Sequence, residues 1–204
     1  MSSLEIPVGL DQNALRSAIA DEYTRVATAP DQGFHFHTGR KLAGLLDYDE
    51  AWIDRVPESS VESFAGTGNP FWMGQLKDGE QVLDAGSGAG MDSLIAGQMV
   101  GPGGHVTGVD ATGAMLVRAR TSAEESGAGN VEFVNGDATE LPPADNSVDV
   151  VISNGVFNLV RARARALQEM YRVLKPRGRL QIADIVVGRT VPFRAKEDID
   201  LWTG

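Results

Sequence analysis

A glycine-rich segment, Asp84-Ala-Gly86-Ser-Gly88-Ala-Gly90, is the part of this sequence whose residue types and spacing are best suited to binding a ligand. It joins a short apolar run to a segment with helical character. Glycines permit a tight turn and let the backbone approach a ligand closely. A helix that follows such a turn directs its positive N-terminal end at whatever lies there. The segment therefore predicts a ligand-binding loop at the carboxyl end of a strand.

The spacing of the glycines separates two kinds of ligand. The dinucleotide fingerprint is G-x-G-x-x-G, and counted from Gly86 its third glycine would fall on Met91. The pattern is G-x-G-x-G instead, which disfavours a nicotinamide oxidoreductase. The next predicted strand ends at Asp110, whose carboxylate can accept hydrogen bonds from both hydroxyls of a ribose. We therefore predict an adenosine ligand without a 2'-phosphate.

Two later segments follow strands and fit the same pocket. In Asn135-Gly-Asp137-Ala138 the acid can receive the exocyclic amine of adenine, and Ala138 offers a backbone donor. The segment 153–156 would lie at the mouth of the pocket. Either segment alone could be a plain loop, but their order along the chain favours contact for Asp137 more than for Asn154. Asp84 either bonds loop amides and the ligand or only braces the turn. The predicted ligand-binding set is Asp84, Gly86, Ser87, Gly88, Gly90, Asp110, Ala111, Met115, Asp137, Ala138 and Asn154.

Regular alternation of apolar strands and helices begins near residue 80 and must position these loops. Strands are predicted at 81–84, 105–110, 131–135, 148–153 and 179–187, with helices at 91–100, 112–126 and 162–174. Such alternation predicts an α/β fold in which a Rossmann-like parallel sheet carries helices on both faces.

The first 75 residues have a different pattern. Leu15, Ile19, Tyr23 and Val26 recur at helical spacing within 10–29. A short helix is expected at 39–46 and a loop at 61–70, whose part 65–69 could act as a lid. We expect an N-terminal helical cap at 1–75 and a ligand-binding domain at 76–204.

Composition excludes several classes of function. The net charge of −10 repels phosphate backbones, so no nucleic-acid partner is expected. No apolar run is long enough to span a bilayer and no secretory signal is evident, so a cytoplasmic location is expected and no membrane partner. The chain has no cysteine, which excludes disulfides, thiolate metal sites and cysteine nucleophiles.

The sequence resembles the class I S-adenosylmethionine-dependent methyltransferases, and more narrowly the arsenite methyltransferase group, from about residue 33 to 204. The resemblance lies in segments 62–71, 82–92, 108–110, 150–159 and 171–178. The glycine loop is specific for the superfamily and 150–159 for the subgroup. The resemblance implies S-adenosylmethionine as cofactor and methyl transfer as reaction.

One departure from that group concerns the methyl acceptor. Members of the group hold trivalent arsenic through cysteine thiolates, and two such positions correspond to Gly155 and Phe157 of this chain. Soft thiolates suit a soft, thiophilic centre. We therefore expect a small-molecule acceptor other than arsenite held by thiolates. Two alternatives stay open: a cofactor-binding module without catalysis, and an arsenite-methylating enzyme with a non-cysteine site.

Catalytic residues are not assigned by the sequence. His35 and His37 alternate in an extended-looking segment, and Asn154 and Asn158 follow the fourth strand, which makes these four the candidates. Two histidines do not form a metal site, so no metal is predicted.

The C-terminal part of the sequence holds fewer strands than the resemblance implies. Class I methyltransferases resemble a seven-stranded sheet, whereas five strands are predicted in this chain. The last strand would then expose a pairing edge. We expect that the C-terminal strands are missing, through truncation or processing, or that two copies pair as a homodimer through this edge.

Overall fold

The computed structural model describes residues 12–186 and 188. Its elements, in chain order, are α1 (Gln12–Thr28), α2 (Gly39–Leu45), α3 (Glu50–Ile53), α4 (Glu58–Glu62), a 3-10 turn (Pro70–Met73), β1 (Gln81–Ala85), α5 (Met91–Val100), β2 (His105–Asp110), α6 (Gly113–Ser126), β3 (Val131–Asn135), β4 (Val148–Asn154), α7 (Arg163–Val173) and β5 (Leu174–Ala183). Among these residues, no helix is long and apolar enough to cross a membrane.

The five strands form one parallel sheet in the order β3-β2-β1-β4-β5. The chain winds outward from β1 to β3, then returns to the other side of β1 for β4. The order therefore reverses between β1 and β4, and ligands of open α/β sheets bind at the carboxyl ends of strands at such a reversal. This topology confirms the predicted Rossmann-like sheet.

Apolar side chains of successive strand residues pack on opposite faces of the sheet. In β1, Val82 joins a core with Ile95 of α5, whereas the next residue, Leu83, joins a second core with Met170 of α7. All four of these residues are almost fully buried. Helices on both faces explain why β1 and β4, in the middle of the sheet, are buried along nearly their whole length, whereas the outer strand β3 alternates between buried and exposed residues.

The cap helices share the first of these cores. Ile53 and Val61, from α3 and α4, lie in one apolar cluster with Val82 and Ile95. Helix α1 packs against α6 through a separate small cluster that includes Val26 and Met115. The described part of residues 12–75 is therefore integrated with the sheet by shared apolar packing.

Two segments, β5 and the expected loop at 61–70, differ at both ends from the sequence expectation. Strand β5 begins at Leu174, directly after α7, because Leu174 pairs with Val148 before an irregularity in the ladder. It ends at Ala183, and residue 187 lies outside the described residues. The expected loop at 61–70 is wrong at both ends, since α4 continues to Glu62 and the 3-10 turn begins at Pro70.

Candidate functional site

A cavity of about 410 Å³ lies at the carboxyl ends of β1, β2 and β4. The glycine loop after β1 forms its floor, the ends of β2 and β3 form one side, and segment 64–66 with the residues after β4 form the other. Helix α1 lies across it through Asn13, Leu15, Arg16, Ile19 and Tyr23. The cavity therefore occupies the position that the strand order assigns to a ligand.

The glycines of the loop serve different purposes. Gly86 has φ +89°, and a Cβ there would lie 2.1 Å from Cγ2 of Val156, so the loop packs directly on the segment after β4. Gly90 is also tightly packed, since a Cβ there would lie 2.7 Å from the ring of Phe133. Gly88 has φ +52°, yet a Cβ there would meet no atom within 4 Å. Of these three glycines, only Gly88 leaves open space where a side chain would be, and Gly88 lines the cavity.

Asp110, at the end of β2, shapes the loop through its carboxylate. One oxygen accepts a hydrogen bond from the backbone N–H of Gly88 at 2.8 Å, and the other accepts from that of Thr112 at 2.7 Å. Burial raises the pKa of Asp110, although these hydrogen bonds oppose the rise. Thr112 is the N-cap residue of α6, and its side chain makes no capping hydrogen bond. The carboxylate lies in the cavity lining, where the sequence places a ribose.

Two further carboxylates are buried beside the loop. Asp84 accepts a hydrogen bond from the hydroxyl of Ser93 at 2.6 Å, and Asp92 accepts one from the hydroxyl of Tyr48 at 2.6 Å. Burial, and then the neighbouring Asp92, raise the pKa of Asp84 to about 8. Burial raises the pKa of Asp92 to about 6. Burial therefore disfavours ionising both of these neighbouring carboxylates at once.

The far end of the cavity is closed by α1. Arg16 forms an ion pair with Asp137 at 2.7 Å, and Asp137 also accepts from the backbone N–H and hydroxyl of Thr139. Burial would raise the pKa of Asp137, but these bonds and the Arg16 charge lower it overall. Burial, with the charges of Asp110 and Asp184, raises the pKa of Tyr23 to about 12. The Tyr23 phenol therefore stays protonated at neutral pH.

Ser87 provides an independent sign that the loop receives a ligand. This residue lines the cavity, and its buried hydroxyl has no hydrogen-bond partner within residues 12–186. Buried polar groups in native structures are nearly always paired. The described residues supply no partner for this hydroxyl, which is consistent with a partner from outside the chain.

The sequence-predicted residues separate into two groups. The ligand-binding set is brought together: Gly86, Ser87, Gly88, Asp110, Ala111, Met115, Asp137, Ala138 and Asn154 all line the cavity. Asp84 and Gly90 lie directly beneath it, beside Ser93 and Phe133.

Three of the four catalytic candidates lie outside that lining. His35 and His37 are exposed, and Asn158 is half-exposed. The alternating pattern instead turns Phe34 and Phe36 toward each other, with ring centroids 5.5 Å apart, and packs them beside Met115. Within the described residues, no group of three or more His, Asp or Glu side chains is placed to hold a metal ion.

Sequence reasoning missed Asp92 and Arg16 as site residues. Asp92 lies two residues after the glycine loop, on the first turn of α5. That position faces the turn and was a usable signal. Arg16 stands next to the apolar Leu15 in α1, and no sequence pattern shows that this polar side chain reaches Asp137, 121 residues away.

Residues 76–203 match the methyltransferase domain family, and this match covers more than half of the chain. This chain belongs to the methyltransferase family. An arsenite methyltransferase of Halobacterium salinarum is 48% identical over 159 residues, which are 78% of this chain and 40% of that protein. A demethylmenaquinone methyltransferase of Listeria welshimeri is 42% identical over 111 residues, covering 54% of this chain and 47% of that one.

A solved structure shows the same fold for this methyltransferase chain. An arsenic(III) S-adenosylmethionine methyltransferase from Chlamydomonas reinhardtii superposes with a TM-score of 0.66 at 38% identity, over 72% of this chain and 51% of that one. The resemblance to S-adenosylmethionine-dependent methyltransferases is thereby confirmed, and S-adenosylmethionine is the cofactor that the family implies. The chain spans about half the length of these relatives or less.

Proposed function

We propose that this chain binds S-adenosylmethionine in the cavity over the glycine loop and transfers its methyl group to a small-molecule acceptor. The observation that carries the proposal is the unpartnered, buried hydroxyl of Ser87 beside Gly88, the glycine whose missing side chain leaves open space in the cavity. Both residues lie on the loop that the family match includes.

The residues of the cavity fit the parts of this cofactor. Gly86, Ser87 and Gly88 would lie against its amino-acid part, and Asp110 would accept hydrogen bonds from the ribose. Asp137 and Ala138, with Ala111 and Met115, would surround the adenine. Beneath the cavity, Gly90 would allow close packing on Phe133, and Asp84 would brace the turn through Ser93. Asp137 must exchange its contact with Arg16 for one with the ligand, which costs little because the pair is exposed.

Charge supports a cationic ligand. The carboxylates of Asp92 and Asp110 are buried in or beside the cavity, and burial raises the pKa of both because it disfavours the ionised form. A sulfonium near these groups would lessen that penalty. When bound, the cofactor supplies an activated methyl group with a neutral thioether as leaving group. The chain then needs to hold the acceptor in line and exclude water, and positioning of this kind supplies a large rate enhancement.

The acceptor is proposed to be a small molecule, because the chain is similar to arsenite and demethylmenaquinone methyltransferases. Arsenite held by thiolates does not fit these 204 residues, which contain no cysteine. Gly155 has φ +72°, and a Cβ there would lie 3.1 Å from the methyl of Thr67. A side chain at this position would thus be strained in the present packing.

Calorimetry with S-adenosylmethionine, S-adenosylhomocysteine and NAD tests the cofactor. We expect both adenosyl ligands to bind and NAD not to bind. Asp110→Ala should weaken adenosyl binding by roughly tenfold or more, because a charge-assisted hydrogen bond to the ribose is lost. Tight NAD binding, or no adenosyl binding, would refute the proposal.

Transfer of a labelled methyl group to a panel of small acceptors tests catalysis. The panel should contain quinols, phenols and arsenite. Transfer to an organic acceptor supports the proposal. Adenosyl binding without transfer to any acceptor indicates a binding module, and turnover of arsenite indicates a site that works without cysteine.

Three narrower points stay predictions. These are the division of the chain at residue 75, the cytoplasmic location, and pairing of two copies through the free edge of β5. Within the described residues β5 pairs only with β4, so such an edge is present. Sedimentation at high concentration checks the pairing, and a monomer would refute it.

A further inference from the structure

A hydrogen-bonded cluster connects the end of β4 to segment 65–69, whose first two residues, Ala65 and Gly66, line one side of the cavity. Asn154 is at its centre. Its side-chain oxygen accepts from the backbone N–H of Thr67 at 2.8 Å and from that of Gly68 at 3.1 Å. Its side-chain nitrogen donates to the carbonyl of Gly68 at 2.8 Å. The side-chain amide of Asn154 therefore bonds both N–H and C=O groups of the loop backbone.

The orientation of that amide is fixed from below. Its nitrogen also lies 3.0 Å from Oδ2 of Asp92 and 3.1 Å from the hydroxyl of Tyr48. The same Tyr48 hydroxyl donates to Oδ1 of Asp92 at 2.6 Å. Because Asp92 accepts from both, it allows only the nitrogen of Asn154 to face it. The oxygen is then directed at the loop.

The loop fits this amide closely. A Cβ at Gly66 would lie 2.4 Å from the side-chain nitrogen of Asn154, and one at Gly68 would lie 2.9 Å from Cβ of Ala183. Phe64 and Gly66 line the cavity, as do Asn154 and Asp92. The loop therefore packs closely against Asn154 and Ala183, because Gly66 and Gly68 have no side chains.

We propose that Asn154 is a positioning residue, locked by Tyr48 and Asp92, which holds segment 65–69 as the cavity wall next to the end of β4. That this wall lies on the acceptor side of a methyltransferase site rests on the proposed function. The cluster acts through the loop backbone, and sequence reasoning that gave Asn154 a direct catalytic or cofactor contact is replaced by this indirect role.

The cluster should respond to pH. If Asp92 were protonated, its added hydrogen would point at one of the two groups that donate to it, Tyr48 or Asn154. The carboxyl group would then no longer fix the orientation of the Asn154 amide. The titratable groups facing Asp92 are Tyr48 and Asp84, with Asp110 beyond Asp84. Burial raises the pKa of Asp92 to about 6, and the bond from Tyr48 lowers it. We therefore expect the hold on the loop to weaken as Asp92 becomes protonated.

Amide hydrogen exchange of the full chain, without ligand, tests the proposal. We expect Asn154→Ala to reduce the protection of Thr67 and Gly68 about tenfold, because a buried hydrogen bond contributes up to about that factor. Amides in the middle of β4 should keep their protection, which shows that the fold is intact. Asn158→Ala is the matched control and should leave Thr67 and Gly68 unchanged.

The pH profile separates positioning through Asp92 from simple packing. After correction for intrinsic exchange rates, wild-type protection of Thr67 and Gly68 should fall as pH drops through about 6. Tyr48→Phe should move this midpoint to higher pH, because the pKa of Asp92 loses a donor that lowers it. Tyr171→Phe, at a residue that is 78% exposed, should not move it.

Unchanged protection in Asn154→Ala, or an unmoved midpoint in Tyr48→Phe, would overturn the proposal. Should Asn154→Ala fail to fold, Tyr48→Phe decides alone, since it removes one oxygen only. Calorimetry with S-adenosylhomocysteine on the same samples keeps the two proposals apart. Absence of binding to the wild type refutes the function, whereas binding without loop protection refutes only the role of Asn154.

Discussion

Replacement of Gly88 by alanine separates the ligand-binding role of the glycine loop from its folding role. Gly88 has φ +52°, and an added Cβ would meet no protein atom within 4 Å. The methyl group would project into open space of the cavity that Gly88 lines. The substitution therefore adds backbone strain and occupies ligand space, but it creates no clash within the protein.

The chain supplies a matched control. Gly127 ends α6 with φ +64°, and a Cβ there would also meet nothing within 4 Å. Gly127 is absent from the cavity lining. Alanine at either glycine should lower the free energy of unfolding by about 1–2 kcal/mol, the penalty of a left-handed backbone for a residue with a Cβ. The two variants should therefore lose similar stability.

Ligand binding should differ between the two variants. A methyl group forced into a closely packed contact costs about 1–3 kcal/mol, which is roughly a 5- to 150-fold loss of affinity. Urea unfolding measures the stabilities, and calorimetry with S-adenosylhomocysteine measures the affinities. We expect the affinity to fall for Gly88→Ala and to stay unchanged for Gly127→Ala. Equal affinities in the two variants would show that the cofactor does not approach the loop at Gly88, and the assignment of the cavity would be refuted.

Two other substitutions test the buried polar groups. Folding raises the pKa of Asp84 from 3.8 to about 8, so the folded chain binds this proton more tightly, and stability should fall as pH rises toward 8. In Asp84→Asn, the free energy of unfolding measured with urea should fall less steeply between pH 6 and 8. An equally steep fall in the variant would contradict the explanation that the buried Asp84 causes it. Gln181 is buried and donates to the carbonyls of Pro70 and Gly74, so Gln181→Leu should cost about 2–5 kcal/mol by leaving both unpaired. The exposed Gln98→Leu is its control, and equal losses in thermal unfolding would refute the argument.

The sequence predicted the sheet well because its signals are local. Four of the five strands are short segments next to a turn, and the near-continuous apolar pattern of β1 and β4 reflects burial on both faces. The glycine loop and Asp110 line one cavity, since loops at the carboxyl ends of neighbouring parallel strands must meet. Boundaries failed where pairing decides them, as at Leu174, which joins the sheet only because Val148 lies beside it.

The candidate catalytic residues show where local reasoning fails. Residues 34–37 alternate between phenylalanine and histidine, and the sequence made the two histidines candidates for a functional role. Burying apolar surface is favourable, so Phe34 and Phe36 pack inward and His35 and His37 are exposed. Asn154 was correctly placed at the cavity, yet its five polar contacts are with the protein itself. Residue type and spacing do not show which partner a side chain finds.

The sequence alone determined the fold class, the position of the glycine loop and the absence of thiolates, because each depends on residue types or on spacing within one strand-loop-helix unit. Tertiary structure decided how α1 closes the cavity, which carboxylates are buried together, and what holds segment 65–69. Several of these contacts join distant residues: Tyr48 bonds Asp92 across 44 positions, and Arg16 bonds Asp137 across 121. Such contacts arise from the packing of whole elements, and the pKa shifts of Asp84 and Asp92 arise from the desolvation that this packing produces.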